Sequence, residues 1–248
     1  MIIRKSSREI DIMRKAGQIV AQTHAVLAEK IEAGITTQEI DQIAEEFIRA
    51  QGAKPAFKGY QGFPSTVCIA INEQVVHGIP SSRHLETGDI IGLDIGAVVD
   101  GYYGDAARTL PVGQVSEKAE RLLTVTEESL FKGIEKVKVG NRISDISNAV
   151  QQHAEQAGYS VVRRFVGHGI GRNMHEDPQI PNFGSPGRGP RLKAGMVLAI
   201  EPMINAGGYE VETLDDNWTV VTCDGELSAH FEHTVAVTDS GFRILTKA

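Results

Sequence analysis

The chain has 248 residues, 41% of them hydrophobic, with a formal net charge of -7 and a pI near 5.6. It can bury one large core or two small ones, which excludes disordered and fibrous classes, and its acidity disfavours a phosphate backbone as the main partner. The N-terminus turns charged after three residues and no later apolar run approaches a membrane span, so a soluble, cytoplasmic protein is expected.

Arg4, Lys5, Arg8, Arg14 and Lys15 form the one basic cluster and read as the solvated face of a first helix. Ser6 or Ser7 caps that helix, whose apolar positions Ile10, Met13, Gly17, Val20, His24 and Leu27 keep helical spacing until Ala33-Gly34. Thr36 with Glu39 has capping-box spacing and opens a second helix with Ile40, Ile43, Ala44 and Phe47 on one face, closed by Gly52. The next stretch is loop-like but aromatic, with Phe57, Tyr60 and Phe63 suggesting either a pocket wall or packing under a long loop, before a strand from Thr66 to Asn72. Cys68 and Cys223 make no CxxC pair and no disulfide framework, which fits a reducing compartment. His77, in NEQVVHGIP, reads on its own as a surface or core histidine.

The run GDIIGLDIGAVVDGYYGDAART, from Gly88 to Thr109, predicts two strands joined by a tight turn at Asp100-Gly101. With that turn, Val99 faces Tyr102 and Asp105 faces Gly96, which makes Asp94 the diagonal neighbour of Asp105 on the same sheet face. Their Cβ atoms then lie somewhat under about 7–8 Å apart, and two bare carboxylates in apolar surroundings at that range need a cation or a proton between them. The plainer alternative, one Asp in water and the other capping a turn, stays open on the hairpin alone.

Ser116 caps a third helix, with Leu122, Leu123, Thr126, Leu130 and Ile134 on one face, ending near Gly140; a fourth starts at Ser144 and runs to Gly158. The first half is thereby repeated. Gly34, Ile40 and Gly52 shift by 106 onto Gly140, Ile146 and Gly158, while Leu85, Gly88 and Asp94 shift by 107 onto Leu192, Gly195 and Glu201. Two copies of a helix-helix-strand unit, with halves at about 1–110 and 111–248 of one catalytic domain, predict packing about a pseudo-two-fold axis that brings Asp94 to Glu201.

The second half also carries VVRRFVGHGIGRNMHEDP, with His168 among glycines that lack phosphate-loop spacing and His175 seven residues on. The surface loop Gly184 to Gly189 suggests no chemistry. A strand from Trp218 to Thr222, a turn at Asp224-Gly225 and a returning strand from Ser228 to Thr238 follow, the last with His230, Glu232 and Thr234 on one face. Asp94, Asp105, His168, Glu201 and Glu232 thus make an oxygen-rich set with one nitrogen. Such a set is overly negative around one divalent ion, is balanced by two, and suits Mn, Fe, Co or Zn. No HExxH is present.

NEQVVHGIP, DIGAVVDGYYGDAART, GHGIGRNMHEDP, AIEPM and HFEHT, in this order and spacing, closely resemble the type I methionine aminopeptidases, of the pita-bread fold, over essentially the whole chain. The resemblance implies an α+β pita-bread (creatinase/aminopeptidase) architecture, duplicated halves around a central antiparallel sheet, and hydrolysis of the N-terminal methionine from chains whose second residue is small. It implies that Asp94, Asp105, His168, Glu201 and Glu232 bind two divalent ions bridged by Asp105, Glu232 and a hydroxide, and that Glu201 shuttles the proton. It further implies that His175 contacts the scissile carbonyl or its oxyanion, that His77 contacts the peptide, and that Phe57, Tyr60, Phe63, Cys68, Met174 and Trp218 line the methionine pocket. At Phe57, Phe63 and Met174 the chain departs from the cysteine, tyrosine and phenylalanine frequent in that family, with apolar character kept. The absence of a long insertion or a zinc-binding extension points to the short bacterial form: a cytoplasmic monomer acting on nascent polypeptides, with transient ribosome contact and no membrane or specific nucleic-acid partner. A proline-specific peptidase would share the fold but usually adds an N-terminal domain. A non-enzymatic binding module would lack some of the five ligands.

Overall fold

The computed structural model describes residues 1–247. Four helices carry the outer layer: α1 (Ser7–Ala28), α2 (Thr37–Ala50), α3 (Glu117–Ile134) and α4 (Ile143–Gln156). Ser6 with Glu9 and Thr36 with Glu39 form reciprocal capping boxes, so the first two helices start where the side chains can satisfy their free N–H groups. Both α1 and α3 stop about a turn and a half short of the predicted glycines. Gly34 and Gly140 instead serve the following turns, donating to Leu85 O at 2.8 Å and Leu192 O at 3.1 Å. The fourth helix is capped by Arg142 rather than Ser144, because the Asp145 carboxylate accepts from Arg142 N at 2.7 Å.

All strand pairs among the described residues are antiparallel, divided among four sheets rather than gathered into one. The central hairpin Ile90–Val99 and Tyr102–Pro111 has the predicted register, with Val99 opposite Tyr102 and Gly96 opposite Asp105. Its flat face takes α1 at very close range: a Cβ on Gly104 would stand 2.6 Å from Gly17 N, so this glycine is required by the approach of helix to strand, while a Cβ on Gly17 would run into the Leu245 backbone.

The halves repeat each other bond by bond. Leu85 N donates to Ile35 O and Leu192 N to Asn141 O; Gly88 N donates to Val112 O and Gly195 N to Val237 O, both at 3.0 Å. One apolar cluster lies under α1 and α2, another under α3 and α4, and a third, with Met13, Phe57, Phe63, Cys68 and Met174, fills the space between.

The strand predicted from Ser228 to Thr238 is broken. Ser228–His230 pairs with Met203–Asn205, His233–Thr238 pairs with Val197–Ile200, and the chain changes sheets at Phe231-Glu232. Its partner breaks opposite, at Glu201-Pro202, where proline has no N–H to give a ladder. Phe231 N turns to Pro202 O and Glu232 N to Ala107 O at 2.9 Å. Alternation survives the break, so His230 and Glu232 still share a cavity.

The halves meet along this broken strand. Asp105 N donates to Thr234 Oγ1, which donates back to Asp105 O at 2.7 Å; His230 N donates to Thr109 Oγ1, which donates back to His230 O at 2.9 Å. The shift of 125 that carries Val112 onto Val237 also carries Thr109 onto Thr234 and Asp105 onto His230, so the two threonine clasps are related by the pseudo-two-fold. Both threonines are buried.

Lys5 departs from the expected solvated face: it precedes α1 and is buried, its Nζ 2.6 Å from Glu176 Oε2. Arg4, Arg8, Arg14 and Lys15 are exposed.

Replacing Thr109 or Thr234 with valine leaves a buried backbone N–H without a partner and should destabilise the metal-free protein by about 1–3 kcal/mol. Urea unfolding at unchanged m-value measures it; a loss below about 0.5 kcal/mol at both sites would show that the clasps are not needed.

Candidate active site

The central hairpin presents Asp94 and Asp105 on one face, the short strand Gly167–Gly169 presents His168, and the paired breaks present Glu201 and Glu232. All five line one cavity of about 330 Å³. One ligand atom each of Asp105, His168 and Glu232 lies within 4.8 Å of the others, and His168 Nε2 stands 3.5 Å from Glu201 Oε1.

These groups fit a bound cation on their own chemistry. Asp94 Oδ1, Asp105 Oδ1 and Glu232 Oε1 are buried with no hydrogen-bond partner. His168 Nδ1 donates to Gly169 O at 2.9 Å, which leaves the Nε2 lone pair directed at a carboxylate. Two acceptors facing each other, flanked by orphaned carboxylate oxygens, need a positive centre between them.

Burial pushes the Asp94 carboxyl up to about 7, with the Asp105 side chain beside it acting the other way. Burial, then the neighbouring carboxylates, holds Asp105 and Glu232 well above the ordinary range; Glu201 is raised by burial and by Asp94. The imidazoles move oppositely: burial lowers His168 and His77 to about 4 and His230 to about 3, and lowers His175. Near neutral pH the histidines are therefore uncharged, and without a cation the carboxyls keep protons.

Phe57, Tyr60, Phe63, Cys68 and Trp218 line the apolar side of the cavity, and Phe63 meets Trp218 edge to face at 5.1 Å. Met174 is not among the cavity-lining residues and is buried in the cluster with Phe57, Phe63 and Cys68. His77 and His175 stand at the polar side. His77 holds a positive φ of 61°, a costly backbone for a non-glycine, and sets its ring edge-on to Phe165 at 5.4 Å. Tyr60 Oη lies 2.8 Å from His175 Nδ1, and the His175 and His168 ring centroids are 4.3 Å apart. Phe165, Met203 and His230 also line the cavity, although the sequence assigned them no role. Met203 and His230 sit within AIEPM and HFEHT, beside the carboxylates those motifs mark; Phe165 had no such marker.

Fold and donor set together define a metal-dependent hydrolase of pita-bread architecture. Residues 11–239 match the model of metallopeptidase family M24. The chain is 61% identical over 246 residues to a methionine aminopeptidase of Clostridium perfringens, covering 99% of both proteins. It superposes on the crystal structure of the methionine aminopeptidase from Thermotoga maritima with a TM-score of 0.99 at 45% identity, covering both chains fully. A prolidase from Pyrococcus furiosus matches at a TM-score of 0.80 and 27% identity, over 99% of this chain and 66% of that one. The chain belongs to metallopeptidase family M24.

Carboxyls whose pKa is raised in the metal-free protein must lose protons when a cation binds, so affinity should rise with pH and binding should release protons. The sign follows from Asp94, protonated below about 7 and ionised above it, whereas the depressed imidazoles are already neutral throughout. Titration with Mn²⁺ by calorimetry at pH 6 and pH 8, in buffers of different ionisation enthalpy, measures both. Equal affinity with no proton release would show that the carboxylates are already ionised.

Proposed function

We propose that the chain is a methionyl aminopeptidase, a metallo-exopeptidase removing the N-terminal methionine from nascent proteins and peptides whose second residue is small. The observation carrying this reading is the meeting of four carboxylates and a neutral imidazole beside an aromatic, sulfur-lined pocket. Asp94, Asp105, His168, Glu201 and Glu232 would hold two divalent ions drawn from Mn, Fe, Co and Zn. When bound, the ions supply an acidified water and a Lewis acid for the scissile carbonyl.

The methionine side chain enters the wall of Phe57, Tyr60, Phe63, Cys68 and Trp218, where a thioether gains sulfur–aromatic contacts. Met174 packs in the same apolar cluster as Phe57, Phe63 and Cys68. The acidic end of the cavity attracts a free α-amine, which makes the activity that of an exopeptidase. With the Tyr60 hydroxyl donating to His175 Nδ1, His175 keeps its proton on Nε2 and donates it to the carbonyl oxygen as negative charge develops there. His77, neutral and fixed against Phe165, hydrogen-bonds the peptide. Glu201, its backbone carbonyl held by Asn182 Nδ2 at 2.9 Å, takes the proton from the attacking water and passes it to the leaving amine.

The same reading treats residues 1–248 as one catalytic domain with duplicated halves at about 1–110 and 111–248, supported by the repeated turn bonds. It takes the protein as a cytoplasmic monomer in transient contact with the ribosome, consistent with the lack, among the described residues, of any helix long and apolar enough to cross a membrane.

Hydrolysis of Met-Ala-Ser tests the activity: release of free methionine supports it, and its absence from metal-loaded protein would refute it. Glu201→Gln should abolish turnover while leaving the circular dichroism spectrum intact, and near-normal turnover would remove Glu201 from the proton shuttle. His77→Ala should lower kcat/KM by about 10- to 100-fold, the range of one lost polar contact to the transition state, with metal content unchanged by elemental analysis. Loss of metal from that variant would contradict the peptide-contact assignment.

A further inference from the structure

His175 sits at the end of a short turn whose shape is set by a buried ion pair. Lys5 Nζ lies 2.6 Å from Glu176 Oε2, with 3% and 5% of the two side chains exposed. The other carboxylate oxygen, Oε1, accepts from Arg172 N at 2.9 Å and Asn173 N at 3.2 Å. One oxygen thus holds the lysine while the other holds the turn.

Both ends of this arrangement are tied to the rest of the fold. Lys5 N donates to Gly195 O at 2.6 Å, fixing the segment before α1 to the second half, and Tyr103 N donates to Gly171 O at 2.9 Å, fixing the turn to the hairpin of the first. Arg172 stacks over the Tyr102 ring at 4.4 Å, and the Tyr102 hydroxyl donates to Glu9 at 2.6 Å. Space for the pair is written into the chain: a Cβ on Gly171 would stand 2.6 Å from Glu176 Oε1 and 2.9 Å from Lys5 Nζ.

Stability alone is a poor account of such a pair, because a buried salt bridge often contributes no more than well-packed apolar residues of the same volume. Direction is what it supplies. Glu176 follows His175 immediately, and the His175 ring must stand 2.8 Å from Tyr60 Oη and against His168 for its Nε2 proton to face the cavity.

We infer that Lys5 and Glu176 are positioning residues that act through His175, holding the Arg172–Glu176 turn so that the imidazole donates along a fixed line. The inference rests on the oxyanion-contact role given to His175 above. Neither residue touches substrate; both set where a group that does touch it stands.

The test is a double-mutant cycle on Met-Ala-Ser hydrolysis. Lys5→Met should lower kcat about tenfold or more while KM changes less than about threefold, and Glu176→Gln, which keeps one oxygen to accept from the two N–H groups of the turn, should lose less. In a His175→Ala background, Lys5→Met should cost no more than about twofold further, because the group it positions is gone. In the metal-free protein, Lys5→Met should shift the His175 Cε1–H signal and leave that of the remote His24 in place. Should Lys5→Met fail to fold, the charge-neutral double variant Lys5→Met/Glu176→Gln is read in the same way.

Wild-type kcat in Lys5→Met, an unmoved His175 signal, or full additivity with His175→Ala would each overturn the inference. Normal turnover by His175→Ala alone would instead remove the role of His175, and the inference with it.

Discussion

The two threonine clasps across the pseudo-two-fold are the constraint on which the site depends. Asp105 is gripped through its own backbone N–H and carbonyl by Thr234, and His230 by Thr109, while Glu232 N reaches Ala107 O midway between them. Backbone, not side chain, is being held. That distinction matters because the carboxylates themselves repel one another and cannot serve as the glue of their own site. The scaffold brings them together with bonds that use none of their oxygens, leaving Asp94 Oδ1, Asp105 Oδ1 and Glu232 Oε1 free for a cation. A site assembled in this way is preorganised: the cost of burying the carboxyls is met on folding, while they still hold protons, and a divalent ion takes the place of those protons.

The strand breaks follow from the same requirement. In an unbroken ladder, Glu201 and Glu232 would have their backbones committed to one sheet and their directions fixed by the pleat. Pro202 removes a donor at the point where the chain must change sheets, and Phe231 and Glu232 then find partners outside the ladder. Each break places a glutamate where two sheets meet, facing the hairpin that carries the aspartates. The aromatic wall is built differently, from loop residues Phe57, Tyr60 and Phe63 packed on one another and on Trp218, so the pocket joins a rigid polar end to a wall of side chains.

Much of this was legible in the residues because its causes are local. Asp100-Gly101 fixes the hairpin register, and the register alone puts Asp94 and Asp105 on one face; Thr36 with Glu39 fixes the start of the second helix, and that of the first is narrowed to Ser6 or Ser7. The 107-residue shift from Asp94 to Glu201 exposes the duplication without any knowledge of packing. What stayed hidden depends on partners distant in sequence. The break at Phe231-Glu232 is set by Pro202 and Ala107. The ends of α1 and α3 are set by Gly34 and Gly140, each drawn away to a leucine about 50 residues on. Lys5 reads as one of five basic residues until Glu176 is brought beside it, and Met174 reads as a wall residue until it is found buried in the apolar cluster with Phe57 and Phe63.

The duplication is faithful in backbone and unfaithful in chemistry. Asp94 and Glu201 are counterparts and both carry acid groups, but the counterpart of Asp105 is His230, and that of Glu232 is Ala107. Had the copies stayed identical along the axis, the cavity would have two equivalent ends and a peptide could lie in it in either orientation. An alanine opposite a glutamate and an imidazole in place of a second aspartate abolish that equivalence. The divergence gives a symmetric cradle a head and a tail, which an enzyme needs if it is to read a chain from one terminus.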